Sequence, residues 1–260
     1  AGPGAEEHWE SLPGLHQLPT NKREMAQTTI DVLEGLELHQ NVLSTREQAE
    51  LLENINTLLE AGMRKQLPGQ TFLQPPRTKA GNGRRTIQFG CAYEYRNSVD
   101  IKHGIKPELV VAALPDCLQN LVDKLVREGV LPAAIAPDSA IVNVYGRGDA
   151  IPPHIDHHDF VRPFCTLSLK SEQPIFFGQA IRIPVPGTFE ADAEIGLPCG
   201  SLLVLQGNGA DVAQHCVPRV TAERVSVTLR RMRPVFREEI ERKGTLRPLP
   251  NGGMSFAGIP

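Results

Sequence analysis

Three side chains in the sequence have types and spacing suited to holding a metal ion. His154 and Asp156 lie two residues apart at the end of a strand-like stretch, so both point to one side of the backbone. His215, far downstream in an apolar strand pattern, supplies a candidate third ligand. Two histidines and one carboxylate form the facial triad of non-haem Fe(II) oxygenases, which leaves coordination positions open. Other metal enzymes share the pattern, and residues 152–159 alternatively form a polar turn with His215 as a hydrogen-bonded core residue.

A second polar pattern follows shortly after His215. One face of the strand-like segment 224–230 carries Arg224, Ser226, Thr228 and Arg230. A guanidinium at the closed end of a pocket would suit the distal carboxylate of 2-oxoglutarate, because it can bind a carboxylate through two parallel hydrogen bonds. Upstream, Asn143 and Tyr145 alternate with valines and could face the same co-substrate. The alternative is an exposed strand face that carries arginines.

Taken in order and spacing, these segments resemble a known family. Asn143-Val144-Tyr145, His154-Ile155-Asp156, His215 and the Arg224 to Arg230 pair resemble the signature of the AlkB family of Fe(II)- and 2-oxoglutarate-dependent dioxygenases, over roughly residues 35–235. The stretches IPPHIDHHDFVRPFCTLSL, GSLLVLQGNGADVAQHCVP and RRTIQFGCAYEY are similar to plant members related to the animal RNA N6-methyladenine demethylases.

The resemblance implies roles for the motif residues. It makes His154, Asp156 and His215 the ligands of Fe(II). It assigns 2-oxoglutarate binding to Asn143, Tyr145, Arg224, Ser226 and Arg230. With dioxygen as the second co-substrate, the implied reaction is oxidative demethylation of N6-methyladenine in single-stranded RNA, such as methylated mRNA, with release of succinate, carbon dioxide and formaldehyde. The family fold is a double-stranded β-helix.

Two alternatives to this function stay open at the level of sequence. One is the same chemistry on another methylated base in RNA or DNA, such as 1-methyladenine or 3-methylcytosine, or on a protein side chain. The other is an RNA-binding module that no longer catalyses a reaction.

The segment before the barrel, about residues 70–106, is where family members place a nucleotide-recognition lid. Between positions 77 and 106 there are seven basic and two acidic residues, a local charge of +5. Phosphate needs cations, and a flipped base needs a stacking face and hydrogen-bonding groups. The candidate substrate contacts are Arg84, Arg85, Gln88, Tyr93 and Tyr95, with His158 beside the metal motif. The alternative is an ordinary strand whose aromatic rings lie partly in the core.

The periodicity of the remaining sequence predicts an α+β, mainly β fold. A capping box at Ser44 and Glu47 begins a helix that ends near Gly62, and a second helix runs from about Pro115 to Gly129. From residue 140 onward, β-branched runs predict strands at 140–145, 164–169, 175–183, 201–206, 211–217 and 224–230. We therefore expect a jelly-roll core at about 139–232, supported by helices, within an oxygenase domain of 29–235. A flexible arm (1–28) and an extended tail (236–260) complete the prediction.

Composition limits the class of protein without identifying its function. The 260 residues are 40% hydrophobic and 22% charged, which is typical of a single globular domain. A net charge of −3 gives no overall attraction to RNA. Five cysteines without a C-x-x-C pair favour a reducing compartment, and no long apolar run predicts a membrane helix. We expect a monomer in the cytoplasm and/or nucleus, and a natural chain that extends beyond the initial Ala1.

Overall fold

The computed structural model describes the backbone of residues 15–17 and all of residues 30–74, 83–95 and 103–250. The strands are Leu15–Gln17 (β1), Leu36–His39 (β2), Phe72–Leu73 (β3), Arg85–Phe89 (β4), Tyr93–Glu94 (β5), Gly104–Ile105 (β6), Val111–Ala112 (β7), Ser139–Tyr145 (β8), Ile151–His154 (β9), Phe164–Leu169 (β10), Gln173–Gly178 (β11), Arg182–Val185 (β12), Thr188–Glu190 (β13), Ala193–Leu197 (β14), Leu202–Leu205 (β15), Gln214–Val217 (β16), Arg224–Arg230 (β17) and Leu246–Arg247 (β18). The α-helices are Thr45–Met63 (α1), Asp116–Arg127 (α2), Gly207–Asp211 (α3) and Pro234–Lys243 (α4).

Two facing sheets form the barrel and confirm the predicted jelly-roll core. Within the described residues, the main sheet has the order β1-β2-β15-β10-β17-β8-β4-β7-β18, with β3 added beside β4. The minor sheet has the order β14-β11-β16-β9. Apolar side chains from both sheets, including Phe164, Phe177 and Leu205, pack together in the space between them. The remaining part of that space is the cavity described below.

Helices α1 and α2 support the outer face of the main sheet, as the sequence predicts. The capping box at Ser44 and Glu47 is formed, and α1 buries Ile55 on its sheet-facing side. Residue Leu118 of α2 belongs to the same apolar cluster, together with Val227 of β17. No helix in the described part of the chain is long and apolar enough to cross a membrane.

The alternation of β17 and β8 places polar groups inside the barrel. Val225, Val227 and Leu229 of β17 pack against the helices, and the intervening polar residues line the cavity. Residues of β8 pair with β17 in antiparallel register, so that Tyr145 lies opposite Arg224 and Asn143 opposite Ser226. The pattern found in the sequence therefore gives a polar interior wall.

The chain after residue 235 differs from the extended tail predicted for 236–260. Pro234 stands in the first turn of α4, which ends at Gly244 with a left-handed φ of 59°. β18 then pairs in parallel with β7. The prediction failed because α4 buries little apolar surface, chiefly Ile240, so the sequence shows no clear helical period. Residues 251–260 lie outside the described part.

Other predicted boundaries also change. Residues 15–17 pair with β2, so the flexible arm predicted for 1–28 is wrong at that point, and the rest of the arm lies outside the described residues. The strand predicted at 175–183 ends at Gly178, and the one predicted at 211–217 is split between α3 and β16. The predicted lid is described only in part, and its β4 is a strand of the main sheet paired with β8.

Candidate active site

A cavity of about 880 Å³ lies between the two sheets. Its walls come from β8 and β17 on the main sheet and from β9 and β16 on the minor sheet. The β4–β5 segment contributes the remaining side. Both predicted motifs therefore face one enclosed space.

The three candidate metal ligands meet in this cavity. β9 and β16 are antiparallel, and their register sets His154 directly opposite His215, with ring centroids 4.4 Å apart. Asp156 follows β9 on the same side. One ligand atom from each of the three residues lies within 4.8 Å of the others. The structure thus brings together the triad that the sequence predicts.

The electrostatic state of these residues suits a divalent cation. His154 Nδ1 donates to the Pro152 carbonyl oxygen at 2.9 Å, and Nε2 faces the metal site, 3.5 Å from Asp156 Oδ1. Burial, with a smaller contribution from His154, lowers the pKa of His215 to about 3, which keeps that imidazole neutral. Burial alone would raise the pKa of Asp156, but the charge of Arg230 and the His154 contact lower it. Two neutral imidazoles and a carboxylate are the protonation states that metal binding requires.

Arg230 forms an ion pair with one of the candidate metal ligands. Its Nη1 lies 3.1 Å from Asp156 Oδ2, and both side chains are buried. Its Cζ is 4.0 Å from the ring centroid of Phe160 and 5.2 Å from that of Tyr93. The guanidinium therefore orients a metal ligand while it stacks between two rings. The sequence had assigned this residue to 2-oxoglutarate, and the structure gives its charge a protein partner.

Arg224 has the opposite environment. It is 1% exposed, and its Nη2 donates to Ser168 Oγ at 3.0 Å. Its Nε and Nη1 have no hydrogen-bond partner within the described residues. Burial lowers the pKa of this guanidinium. A buried cation with unused donors calls for an anion, and the distal carboxylate of 2-oxoglutarate fits this requirement.

The other predicted co-substrate residues line the same wall. The Tyr145 ring lies beneath the Arg224 guanidinium, with 5.1 Å between the ring centroid and Cζ. The Tyr145 hydroxyl is 3.4 Å from Ser226 Oγ. The Asn143 side-chain oxygen accepts from Arg84 Nε and Thr86 Oγ1, both at 3.2 Å. Asn143 thereby links the co-substrate wall to the side of the cavity formed by β4.

Four of the predicted substrate residues reach the cavity, namely Arg84, Gln88, Tyr93 and Tyr95. Gln88 is buried, accepts from the Tyr93 amide at 3.0 Å and donates to the Gln70 carbonyl at 2.8 Å, so its amide supports the backbone. Tyr95 is 40% exposed and lies edge-on to Tyr93 at 4.9 Å. The two tyrosines form an aromatic wall near the metal ligands.

Two predicted substrate residues do not enter the cavity. Arg85 points to the opposite face of β4, where its Nη1 is 3.6 Å from Met63 Sδ of α1. His158 borders a separate surface depression, with its Nδ1 3.7 Å from Asp211 Oδ1. Strand alternation could have excluded Arg85, because neighbouring residues of a strand face opposite sides.

The structure adds residues that the sequence did not single out. Ser168 of β10 lies opposite Ser226 of β17 and contacts Arg224. Ser168 is two residues beyond Thr166, which lines the cavity, so strand alternation could have indicated its position. His103 Nε2 is 2.7 Å from the Tyr93 hydroxyl and lines the cavity. No local pattern distinguishes His103 in the sequence.

Comparison with known proteins agrees with this geometry. Residues 35–237 match the 2OG-Fe(II) oxygenase superfamily. The chain is 47% identical to the RNA demethylase ALKBH9B of Arabidopsis thaliana over 85% of its length, and 30% identical to Arabidopsis RNA demethylase ALKBH10B over 82%. It is 32% identical to mouse RNA demethylase ALKBH5 over 60%. These matches span 45%, 37% and 41% of the three relatives, so the chain covers less than half of each.

The family match and these relatives confirm the AlkB-type resemblance found in the motifs. The triad and the unpaired Arg224 independently fit the metal and the co-substrate that the family uses. The chain therefore belongs to the 2OG-Fe(II) oxygenase superfamily, the dioxygenases that use Fe(II), 2-oxoglutarate and dioxygen.

Proposed function

We propose that this protein removes the methyl group from N6-methyladenine in single-stranded RNA by oxidation. The observation that carries the proposal is that one cavity contains the metal triad, an unpaired buried guanidinium and an aromatic wall. The names of the three relatives, each an RNA demethylase, support RNA as the substrate.

In this proposal, the closed end of the cavity binds the co-substrate. Arg224 receives the distal carboxylate of 2-oxoglutarate through the donors that the described chain leaves free, and Ser168 holds the guanidinium in place. Because Arg224 is buried, this charge pair forms in a low-dielectric environment, where it is stronger than in water. Tyr145 and Ser226 complete the wall beside it.

The chemistry takes place at the triad. His154, Asp156 and His215 would hold Fe(II), and Arg230 keeps Asp156 ionised and oriented. The ion would supply the oxidation, in which one oxygen atom of dioxygen would enter a methyl C–H bond of the substrate and the other would convert 2-oxoglutarate to succinate and carbon dioxide. The hydroxymethylamine formed on the base then releases formaldehyde and leaves an N–H group.

The charges around the aromatic wall favour a neutral methylated base. Arg84 Cζ lies 5.8 Å from the ring centroid of Tyr95, whereas the charge of Arg230 beside Tyr93 is already paired with Asp156. A base stacked on Tyr95 would therefore lie near the guanidinium of Arg84. 1-Methyladenine and 3-methylcytosine are cationic, so repulsion disfavours them, whereas N6-methyladenine is neutral.

Single-stranded RNA suits an enclosed site of this kind. The target base must leave its neighbours to enter the cavity, and this costs least where the base has no pairing partner. We further propose that the enzyme acts as a monomer on mRNA in the cytoplasm and/or nucleus. The cysteines are all free, which fits a reducing compartment.

The test measures formaldehyde and succinate with Fe(II), 2-oxoglutarate and a single-stranded RNA that carries one N6-methyladenine. We expect both products in equal amounts from the wild type and neither from His154→Ala. The same sequence with 1-methyladenine or 3-methylcytosine serves as the competing substrate. Preferred demethylation of a cationic base would contradict the proposed specificity. Absence of succinate with every methylated RNA would contradict the demethylase function itself.

A matched pair of arginine variants tests the wall of the cavity. Arg84 and Arg85 are neighbours in sequence but lie on opposite faces of the β4 region. At saturating 2-oxoglutarate, we expect Arg84→Met to raise KM for RNA by about tenfold through loss of a charged contact. Arg85→Met should leave KM for RNA within about twofold, as expected of a surface change. Equal effects of the two variants would show that the cavity wall does not set RNA affinity.

A further inference from the structure

Arg162 lies outside the metal triad, but its guanidinium contacts the loop that carries Asp156. Its Nη2 donates to the carbonyl oxygen of Asp156 at 2.6 Å. Its Nη1 donates to the carbonyl oxygens of His157 at 3.3 Å and Phe160 at 3.1 Å. A single side chain thus satisfies three backbone acceptors in an irregular loop, and one of them belongs to a metal ligand.

The metal site has two arms, the loop that carries Asp156 and the segment that carries His215. The remaining hydrogen bond of Arg162 reaches the second arm. Its Nε donates to Asp211 Oδ1 at 2.9 Å. Asp211 is the last residue of α3, and β16, which carries His215, begins shortly after it at Gln214. The guanidinium therefore connects the loop after His154 and Asp156 with the segment that leads into His215. Four of its five N–H donors are used in this connection.

The surroundings of Arg162 hold its geometry. Its side chain is 13% exposed, and its Cζ lies 5.0 Å from the ring centroid of Phe164, which lines the cavity. The direct link between the two arms is the β9–β16 strand pair, which is irregular. The β9–β16 ladder has an irregular register between His215 and Val217, so a second tie between these segments matters.

We propose that Arg162 is a positioning residue that sets the distance and orientation between the two arms of the metal site. It touches neither the ion nor the substrate, and it acts by fixing the Asp156 backbone relative to α3. The proposal concerns metal binding alone, so it stands whichever methylated base the enzyme accepts. Lysine cannot replace the planar fork, because its donors share one nitrogen atom.

The test is the affinity of the metal-free protein for Mn²⁺ and Co²⁺, measured by titration without 2-oxoglutarate or RNA. We expect Arg162→Met to weaken binding by about 10- to 100-fold, the usual cost of removing an outer support of metal ligands. The absorption bands of bound Co²⁺, which report coordination geometry, should also change. Arg162→Lys should give an intermediate affinity.

Arg233→Met is the matched control. Arg233 Nε donates to the His158 carbonyl oxygen in the same loop, but the described structure gives its side chain no bond to Asp211. We expect its metal affinity and Co²⁺ spectrum to stay close to those of the wild type. An equal loss in Arg233→Met would overturn the proposal, because any support of the loop would then suffice. Unchanged affinity and spectrum in Arg162→Met would also overturn it.

Asp211→Ala keeps the proposal testable if Arg162→Met does not fold. The Asp211 side chain is 40% exposed, so its removal should leave the fold intact, which circular dichroism can check. We expect several-fold weaker Co²⁺ binding from Asp211→Ala, and a smaller loss from the same change when Arg162→Lys is already present. Wild-type affinity in Asp211→Ala would show that the two arms are not coupled through this contact.

Discussion

The two ends of β17 carry the same residue type in different electrostatic settings. Arg224 begins the strand and Arg230 ends it, and both point into the cavity. Their side chains are almost fully buried, with 1% and 3% of the residue exposed. Arg230 has Asp156 as a charge partner at 3.1 Å, although its Nε is buried without a hydrogen bond in the described structure. The Arg224 guanidinium has a hydroxyl partner in Ser168 and, in the described structure, two nitrogens without a hydrogen bond.

Under the proposed function, this difference distinguishes an arginine that supports a metal ligand from an arginine that receives the co-substrate. Burial lowers the pKa of either guanidinium, but Asp156, together with smaller contributions from Tyr95, Cys91 and Tyr93, raises the pKa of Arg230 above its ordinary value. Nothing comparable offsets burial at Arg224, whose pKa is lowered. A protein that keeps a charge in such a place bears a desolvation cost that a bound anion can offset. The comparison predicts opposite effects on stability when each arginine is replaced by methionine.

The largest effect is expected at the paired end. Arg230→Met leaves the Asp156 carboxylate buried without its cation, which should lower the free energy of unfolding of the metal-free protein by about 3–5 kcal/mol. Methionine keeps a favourable contact between the rings of Phe160 and Tyr93, so the loss reflects mainly the charge. Urea unfolding measures it. A change below about 1 kcal/mol would mean that solvent or relaxation already compensates Asp156.

At the unpaired end, the loss should appear in ligand binding. Arg224→Met removes the proposed carboxylate receptor and should weaken 2-oxoglutarate binding by about 2–4 kcal/mol, roughly 30- to 1000-fold. The free energy of unfolding of the metal-free protein should stay the same or rise by about 1–2 kcal/mol, because unsatisfied buried donors are removed. Calorimetric titration with 2-oxoglutarate and urea unfolding provide the two measurements. A large destabilisation of the ligand-free protein would remove the contrast with Arg230.

The sequence predicted the positions of these arginines but not their partners. Strand alternation placed both on one face because side chains in a strand repeat every second residue. The ion pair with Asp156 depends on how β9 and its loop fold across the cavity, and no local pattern encodes that arrangement. For the same reason, the sequence did not identify Arg162 as a residue of the site. Its acceptors are backbone carbonyl oxygens and a side chain on α3, which only the folded chain brings together.

Errors in the sequence-based prediction arose where apolar periodicity was weak or was not applied. α4 buries mainly Ile240, so its charged residues resembled a solvated tail. Arg84 and Arg85 were both assigned to the substrate, but only Arg84 lines the cavity, because successive side chains at the start of β4 point to opposite sides. By contrast, the triad was predicted from spacing, because the His-x-Asp pair keeps both ligands on one side of the chain, and the structure brings the distant His215 to them.

The smallest expected effect is a difference between the two ends of the cavity in how the free energy of unfolding depends on pH. Burial lowers the pKa of folded His215 to about 3, below its ordinary value of 6.5, so between these values the unfolded chain binds a proton that the folded chain does not. Stability of the metal-free protein should therefore fall as pH falls from 6.5 to 5, by about 1 kcal/mol per pH unit from this group. Urea unfolding between pH 6.5 and 5 should show a slope shallower by that amount in His215→Gln, since glutamine does not titrate. Arg224→Met should keep the wild-type slope, because the described residues beside Arg224 in the cavity include no histidine. Parallel curves for wild type and His215→Gln would show that the metal end of the cavity is not the acid-sensitive one.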